Sequence, residues 1–415
     1  MEGVANTQIG RQRSAVGCLA PLVLFSLSFT LLVGGCNNPS PRSARGKHID
    51  RTIRAIWVTR WDYKTPRDIA TIMKNCYKAG FNTILFQVRG NGTVFYPSRI
   101  EPWADELGGR DPGFDPLAVA ITEAHRRGLQ LHAWVNVIPG WRGERPPTNW
   151  RQLYHTRPDW FWRDTQGRRQ PPGWYVSLNP CYPEVREYLV SVMREIVGKY
   201  RVDGLHLDYI RFPNEWNDSY PHGARVPDYP RDPRTLALFK SETGKTPDLS
   251  PQRWDLWRTE KITQVVIDIR AMIASVNPHV RLSAAVGADA DRARRKYFQD
   301  VRRWLELRLL DAVYPMNYEK DMPSFARRLE MWSAMRPGIP VVMGVMFDKR
   351  DSGVVNEQIK RTRQRPGHFS AFAYNSLFER LDEHGRRMRD GQSRSRADLR
   401  RKVIPHIRRI GKLKA

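Results

Sequence analysis

Cysteine is scarce in this chain: four in 415 residues, at Cys18, Cys36, Cys76 and Cys181. Two fall in or directly after an N-terminal apolar run, so only Cys76 and Cys181 remain for the body of the protein. That is too few for a disulfide framework, and buried free thiols are expected, with a Cys76–Cys181 bridge as the alternative. No glycine-rich phosphate loop follows the first apolar strand and no serine nucleophile elbow occurs, which argues against nucleotide chemistry and serine hydrolysis. The ten histidines are scattered, with no pair at ligand spacing on a helix and no His-x-His on a strand. His206-x-Asp208 could supply two ligands, but no third is evident, so neither a metal nor another cofactor is expected. Acidic residues are also in deficit: 43 Asp and Glu against 69 Lys and Arg leave a formal charge of +26. Such an excess suits an acidic polymer or an anionic membrane surface.

The N-terminus gives an address. Arg11 and Arg13 precede the apolar run 15–33, and Gly34-Gly35-Cys36 follows. A basic start, an apolar core and small residues before a Cys describe a secretory signal ending in a segment that resembles the lipobox of bacterial lipoproteins. The expectation is a signal peptide over 1–35, lipidation at Cys36 and a polar Pro/Ser-rich tether over 36–52. The protein would then be an exported lipoprotein of the cell envelope, on a periplasm-facing membrane, meeting envelope polyanions and no nucleic acid. A basic tail is expected over 381–415, carrying Arg386, Arg387, Arg389, Arg394, Arg396, Arg400, Arg401 and Lys402. An anionic envelope polymer is its natural partner.

Between 53 and 380, eight short apolar stretches read as strands: 54–61, 82–89, 130–137, 203–212, 281–288, 310–318, 340–347 and 369–377. Amphipathic helical stretches separate them, several opening with Pro in the first turn, where its missing N–H costs nothing. Alternating strands and helices imply parallel strands joined by crossovers. Eight such units over this length predict an α/β fold, a (β/α)8 TIM barrel, with a doubly wound open sheet as the runner-up. The long irregular segments 90–115, 138–182 and 213–234 each follow a strand, so they insert on the C-terminal face, where enzymes of this fold place their sites.

Strand phasing then selects residues. The run Asp203-Gly204-Leu205-His206-Leu207-Asp208-Tyr209-Ile210-Arg211-Phe212-Pro213 puts His206 and Asp208 on one face. Gln87 with Arg89, and His132 with Trp134 and Asn136, pair in the same way. Asn317, Tyr318 and Glu319 end the sixth stretch, Asp289 and Asp291 follow the fifth, Asp348 follows the seventh, and Tyr374 lies in the eighth. Asp291 is expected to cap a helix and Asp348 to start a turn. The insertions carry Tyr96, Trp103, Trp141, Trp150, Trp160, Trp162 and Trp174, whose faces suit the C–H-rich faces of sugar rings. Carboxylates beneath aromatic platforms point to glycoside hydrolysis, which uses one carboxylate as nucleophile or base and another as acid. Asp208 is the expected nucleophile or base, with His206 holding or polarising it. Glu319 and Asp289 compete for the acid. Gln87, Arg89, Trp134, Asn136, Asn179, Arg211, Asn317, Tyr318 and Tyr374 are the expected glycan-binding set. A non-catalytic glycan binder and a metal-dependent polysaccharide deacetylase are the rival readings.

With these residues in place the chain resembles the glycosyl-hydrolase-like family ten lipoproteins of bacteria. The resemblance spans about 54–378. It is carried by Arg54-Ala55-Ile56-Trp57-Val58, Phe86-Gln87-Val88-Arg89, Asp115-Pro116-Leu117, His132-Ala133-Trp134-Val135-Asn136, Leu178-Asn179-Pro180 and Val202-Asp203-Gly204-Leu205-His206-Leu207-Asp208. It implies a (β/α)8 barrel in the envelope acting on a glycan, with peptidoglycan strands a candidate substrate. Where family members often carry a second Asp directly after the one matching Asp208, this chain has Tyr209. Ile210 stands where chitinases of family eighteen place their acidic residue.

Overall fold

A computed structural model of the chain describes residues 52–173, 175–213, 227–335, 337–382 and 384–412. The expected signal segment, the tether up to residue 51, Cys36 and Trp174 lie outside them. Eight parallel strands form one sheet: β1 (Arg54–Val58), β2 (Thr83–Arg89), β3 (Gln130–Asn136), β6 (Gly204–Asp208), β7 (Arg281–Gly287), β8 (Ala312–Met316), β9 (Val342–Met346) and β10 (His368–Phe372). Its order, β8-β7-β6-β3-β2-β1-β10-β9, is closed by the parallel bridge between Val313 and Val341, where Val313 N–H donates to the carbonyl of Pro340 at 3.0 Å. The result is a (β/α)8 barrel. The remaining two strands, β4 (Pro139–Arg142) and β5 (Tyr175–Ser177), make an antiparallel hairpin in the insertion after β3.

The helices start where local chemistry starts them. Helix α1 (Pro66–Ala79) has a Thr65 cap with Asp68 reciprocating, and ends at Gly80 in the left-handed region. Asp115 caps α2 (Pro116–His125). After the one-turn α3 (Leu153–Thr156) come α4 (Pro183–Lys199), α5 (Pro233–Thr243) capped by Asp232, and α6 (Pro251–Val276). The expected single helix after β7 is two, α7 (Ala290–Tyr297) and α8 (Val301–Glu306), because Phe298 takes a left-handed φ of 56° and breaks the turn. Helices α9 (Met322–Met335) and α10 (Ser352–Gln364) complete the ring up to β10.

Apolar residues sort into two layers. Outward strand residues such as Ile56, Phe86, Val135, Leu207 and Val345 pack with the helices in one continuous core. Inward residues Trp57, Leu85, Trp134, Ala285, Tyr314 and Val342 fill the barrel itself. Among the described residues the core runs from Ala55 to Ile410, and the chain from His48 onward forms one compact unit. Cys76 and Cys181 are both buried and free.

Over its described residues the expected basic tail is packed on the barrel. It contains α11 (Ser393–Lys402) and α12 (Ile404–Lys412), which pack against α10 and α1 and bury Leu399, Val403, Ile407 and Ile410. Together they occupy the place of the barrel's eighth helix. The basic residues hid an apolar stripe with helical spacing, and Arg396 is itself buried, donating to Asn375 O and Asp390.

Candidate active site

Asp208 is the last residue of β6, buried at the C-terminal mouth and in register with Asn136 of β3. Its Oδ1 accepts the N–H of Tyr209 at 2.7 Å and Nη1 of Arg211 at 3.3 Å. Burial pushes its carboxyl above the usual range, while Arg211, the Tyr209 N–H and the Trp134 indole pull it back. The carboxyl therefore holds its proton more tightly than a solvated aspartate would. Tyr209 takes a left-handed φ of 51°, uncommon for a side chain of its size, and this turns the strand end so that N–H and ring both face the mouth. Its ring lies over Arg211 at 4.2 Å and edge-on to Tyr175 at 4.7 Å.

Beside this carboxylate a line of hydrogen bonds starts at Trp134. The Trp134 indole donates to Asn136 Oδ1 at 3.0 Å, and Asn136 Nδ2 donates to the Tyr175 hydroxyl at 3.1 Å. Arg60 reaches the same hydroxyl at 3.4 Å while its Nε binds Glu106 at 2.6 Å. Gly90 makes room for that guanidinium: a Cβ there would sit 2.0 Å from Arg60 Nη1. Gln87 Oε1 accepts the N–H of Arg60 at 3.1 Å. Arg60 and Arg142 both lie over the Trp61 ring, at 4.3 and 5.1 Å. Tyr318 feels the charges of Asp208 and Arg211, and burial pushes its phenol well above the usual range. Aromatic rings, guanidinium groups and one buried carboxyl therefore share one opening.

The structure brings together Asp208, Trp134, Asn136, Gln87, Arg211 and Tyr318, and separates the other expected residues. His206 sits one layer deeper, bonded through Nδ1 to Ser283 Oγ at 2.8 Å and edge-on to Trp57 and Tyr314. It neither holds nor polarises Asp208. Arg89 faces outward, because the register slips between Gln87 and Arg89 and inverts the alternation. There it is fully buried, donating to Glu101 at 2.7–3.0 Å and to the carbonyls of Asn136, Val137 and Pro139. Asn179 is consumed by Thr235, Asp232 and the N–H of Cys181, and so ties loops together. Asn317 binds Phe325 O and Arg328, and Tyr374 accepts from Asn75 of α1. Neither binds at the mouth.

Both candidate acids are lost. Glu319 pairs with Arg328 of α9 at 2.7 Å. Asp289 caps α7 by accepting the N–H of Arg292, the role expected of Asp291, which instead pairs with Arg302. Among the described residues no second carboxylate contacts Asp208. Glu106 ends the line of hydrogen bonds that starts at Trp134. No group of three or more His, Cys, Asp or Glu that could hold a metal occurs among the described residues.

Most of the expected platforms serve loop packing. Trp162 stacks on Tyr229 at 4.5 Å, Tyr96 meets Tyr200, and Trp141 donates to Arg145 O. The mouth uses Trp61, Tyr175 and Tyr209 instead, with Arg60 and Arg142. Trp61 lies just past β1 in phase with the inward Trp57, so phasing that strand as β2, β3 and β6 were phased would have flagged it, whereas Arg60 falls on the opposite phase. Tyr175 depends on the β4–β5 hairpin, for which the sequence carries no clear signal.

The comparisons with known proteins agree with this geometry. Among solved structures, the glycoside hydrolase domain of PgaB (BpsB) from Bordetella bronchiseptica superposes with a TM-score of 0.60 at 14% identity, covering 77% of this chain and 94% of that one. The catalytic domain of beta-amylase from Paenibacillus polymyxa gives 0.58 at 10% identity, over 86% and 99%. These likenesses show the fold. At the level of sequence, the glycosyl hydrolase DigH of Escherichia coli K12 is 28% identical over 367 residues, 74% of this chain and 76% of that protein. The glycosyl hydrolase YngK of Bacillus subtilis is 25% identical over 338 residues, 72% and 60%. The model of the family described as glycosyl hydrolase-like 10 matches residues 52–361, taking in every barrel strand but the last, and the chain belongs to that family.

Proposed function

We propose that this protein is a glycosidase of the cell envelope, exported and lipid-anchored at Cys36, that hydrolyses an acidic polysaccharide, with peptidoglycan glycan strands as the leading substrate. The observation that carries this reading is the buried Asp208 at the barrel mouth, its proton affinity raised by burial and moderated by Arg211. A carboxylate so placed can act as nucleophile or base toward a sugar laid against Tyr209, Tyr175 and Trp61. The guanidinium groups of Arg60, Arg142 and Arg211 around the mouth favour glycans that carry carboxylates. The names of the sequence relatives, both glycosyl hydrolases, support the same reaction class.

The test is incubation of the chain from His48 with purified peptidoglycan and other envelope glycans, followed by mass analysis of newly formed ends. Asp208→Asn should lower turnover at least about a thousandfold, roughly 4 kcal/mol of barrier, while glycan affinity persists. One observation favours a second reading: both expected acids are engaged elsewhere, Glu319 by Arg328 and Asp289 by the N–H of Arg292. If glycans bind tightly and no new ends form, the protein is a glycan-binding member of its family and the hydrolase reading falls.

A further inference from the structure

The opposite end of the barrel has a chemistry of its own. In a parallel barrel the helix-to-strand connections all lie at the N-terminal ends of the strands, the face away from the mouth. Here those connections and the adjoining last turns carry Lys78 before β2, Arg201 before β6, Arg281 opening β7, Arg308 before β8 and Arg365 before β10, all exposed. Arg409 of α12 joins them, near the end of the helix whose Arg408 donates to Lys78 O. None of these six has an ion-pair partner among the described residues. The acids of the same face are occupied: Glu123 binds Arg126 and Arg127, Asp203 binds His125, and Asp311 binds Arg270. The uncompensated charge on this face is therefore positive. His406, on the same flank, registers the field: burial, then Arg409, Arg363 and Lys360, hold its imidazole below the usual range.

Two more features fit a lipid surface rather than a soluble polyanion. Tyr77 and Leu307 project from the same connections, 57% and 37% exposed, and an amphipathic Tyr among cations suits the headgroup level of a bilayer. The chain also enters β1 from this face. We propose that the helix-to-strand face of the barrel docks on an anionic phospholipid surface, leaving the mouth open away from the membrane. This docking does not depend on hydrolysis and requires no lipid at Cys36.

The experiment uses the chain from His48, which forms one compact unit and lacks the apolar N-terminal run. It is sedimented with vesicles of phosphatidylcholine alone and of phosphatidylcholine mixed with phosphatidylglycerol. Binding should need phosphatidylglycerol and weaken with salt. The triple variant Arg201→Glu, Arg281→Glu and Arg365→Glu should bind on the order of a hundredfold more weakly. A charge-matched control, Arg387→Glu, Arg389→Glu and Arg394→Glu, changes residues of the segment that leaves the mouth end of β10 and should keep most of the affinity. Equal losses in both variants would mean that net charge alone binds, and would overturn the assignment of a face. Binding to soluble polyphosphate but not to vesicles would overturn the lipid in favour of an anionic polymer. Circular dichroism of both variants checks that the fold is retained.

Discussion

The two ends of this barrel differ in how many of their arginines are left without a partner. At and beneath the mouth each guanidinium has partners: Arg60 with Glu106, Arg211 with Asp208, and Arg89 with Glu101 and three carbonyls. At the base some are paired, Arg126 and Arg127 with Glu123 and Arg270 with Asp311, but Arg201, Arg281, Arg308 and Arg365 are exposed with no ion-pair partner among the described residues. Loop length follows the same division, with the hairpin and long insertions above and short connections below. A buried guanidinium costs several kcal/mol to desolvate, roughly, and is kept only where its hydrogen bonds fix a geometry. An exposed one costs little and contributes a field. Residue type alone therefore does not separate binding arginines from structural ones; burial and partner do.

After Asp208, the largest effect should come from the buried pair beside the mouth. Glu101 has no exposed side-chain surface and accepts Arg89 and the Tyr188 hydroxyl. Glu101→Gln leaves the Arg89 charge buried without compensation and should cost about 3–5 kcal/mol in urea unfolding. Arg201→Met at the base should stay within about 0.5 kcal/mol. Similar losses at the two positions would break the contrast between the ends.

The same contrast explains what could be read from the sequence. All eight barrel strands were legible, because fully buried parallel strands appear as apolar runs separated by helical periodicity. Asp208, Trp134, Asn136 and Gln87 were legible because each lies on a regular strand where alternation holds. Arg89 was misassigned because one slip in register inverts every side chain beyond it. Glu319, Asn317 and Asn179 failed for another reason. Their polar groups answer to partners on helices or distant loops, such as Arg328, Phe325 O and Thr235, which no local pattern announces. The final helix pair was hidden by its own charge, since the apolar stripe of Leu399, Val403, Ile407 and Ile410 is thin beside eight basic residues.

Between the two ends the barrel interior buries His132 and His206. Burial pulls His132 down to about 4, with Arg281 of the base adding to the effect and Asp203 opposing it. Burial also holds His206 well below the usual range, with His132 as a second cause. A histidine with a depressed native pKa binds fewer protons folded than unfolded. Its contribution is therefore complete above about 6.5 and is lost as pH falls towards about 4. For His132 that loss is on the order of 3 kcal/mol. Asp62, pushed up to about 6 by burial, acts in the opposite sense, its contribution being lost as pH rises through that value. The difference between wild type and His132→Leu isolates the histidine. The variant should show a flatter fall of the urea midpoint from pH 6.5 to 4, and an unchanged slope would mean that the ring is already charged or hydrated in the fold.

The smallest effect sharpens the division of labour most directly. Arg211 is the cation that lowers the proton affinity of Asp208, against the burial that raises it. Arg211→Met should cost about tenfold in kcat/KM on soluble glycan fragments, as expected for one charged hydrogen bond. It should also move the acidic limb of the pH–rate profile upward, because the ionised form of Asp208 becomes harder to reach. The base triple Arg201→Glu, Arg281→Glu and Arg365→Glu should leave both the rate and that limb in place on the same soluble fragments. Its charges bear on docking and lie at the far end of the barrel from the carboxylate. A shift of the acidic limb in the base triple would show that the field of the base reaches the mouth, and the two ends would then have to be treated as one electrostatic unit.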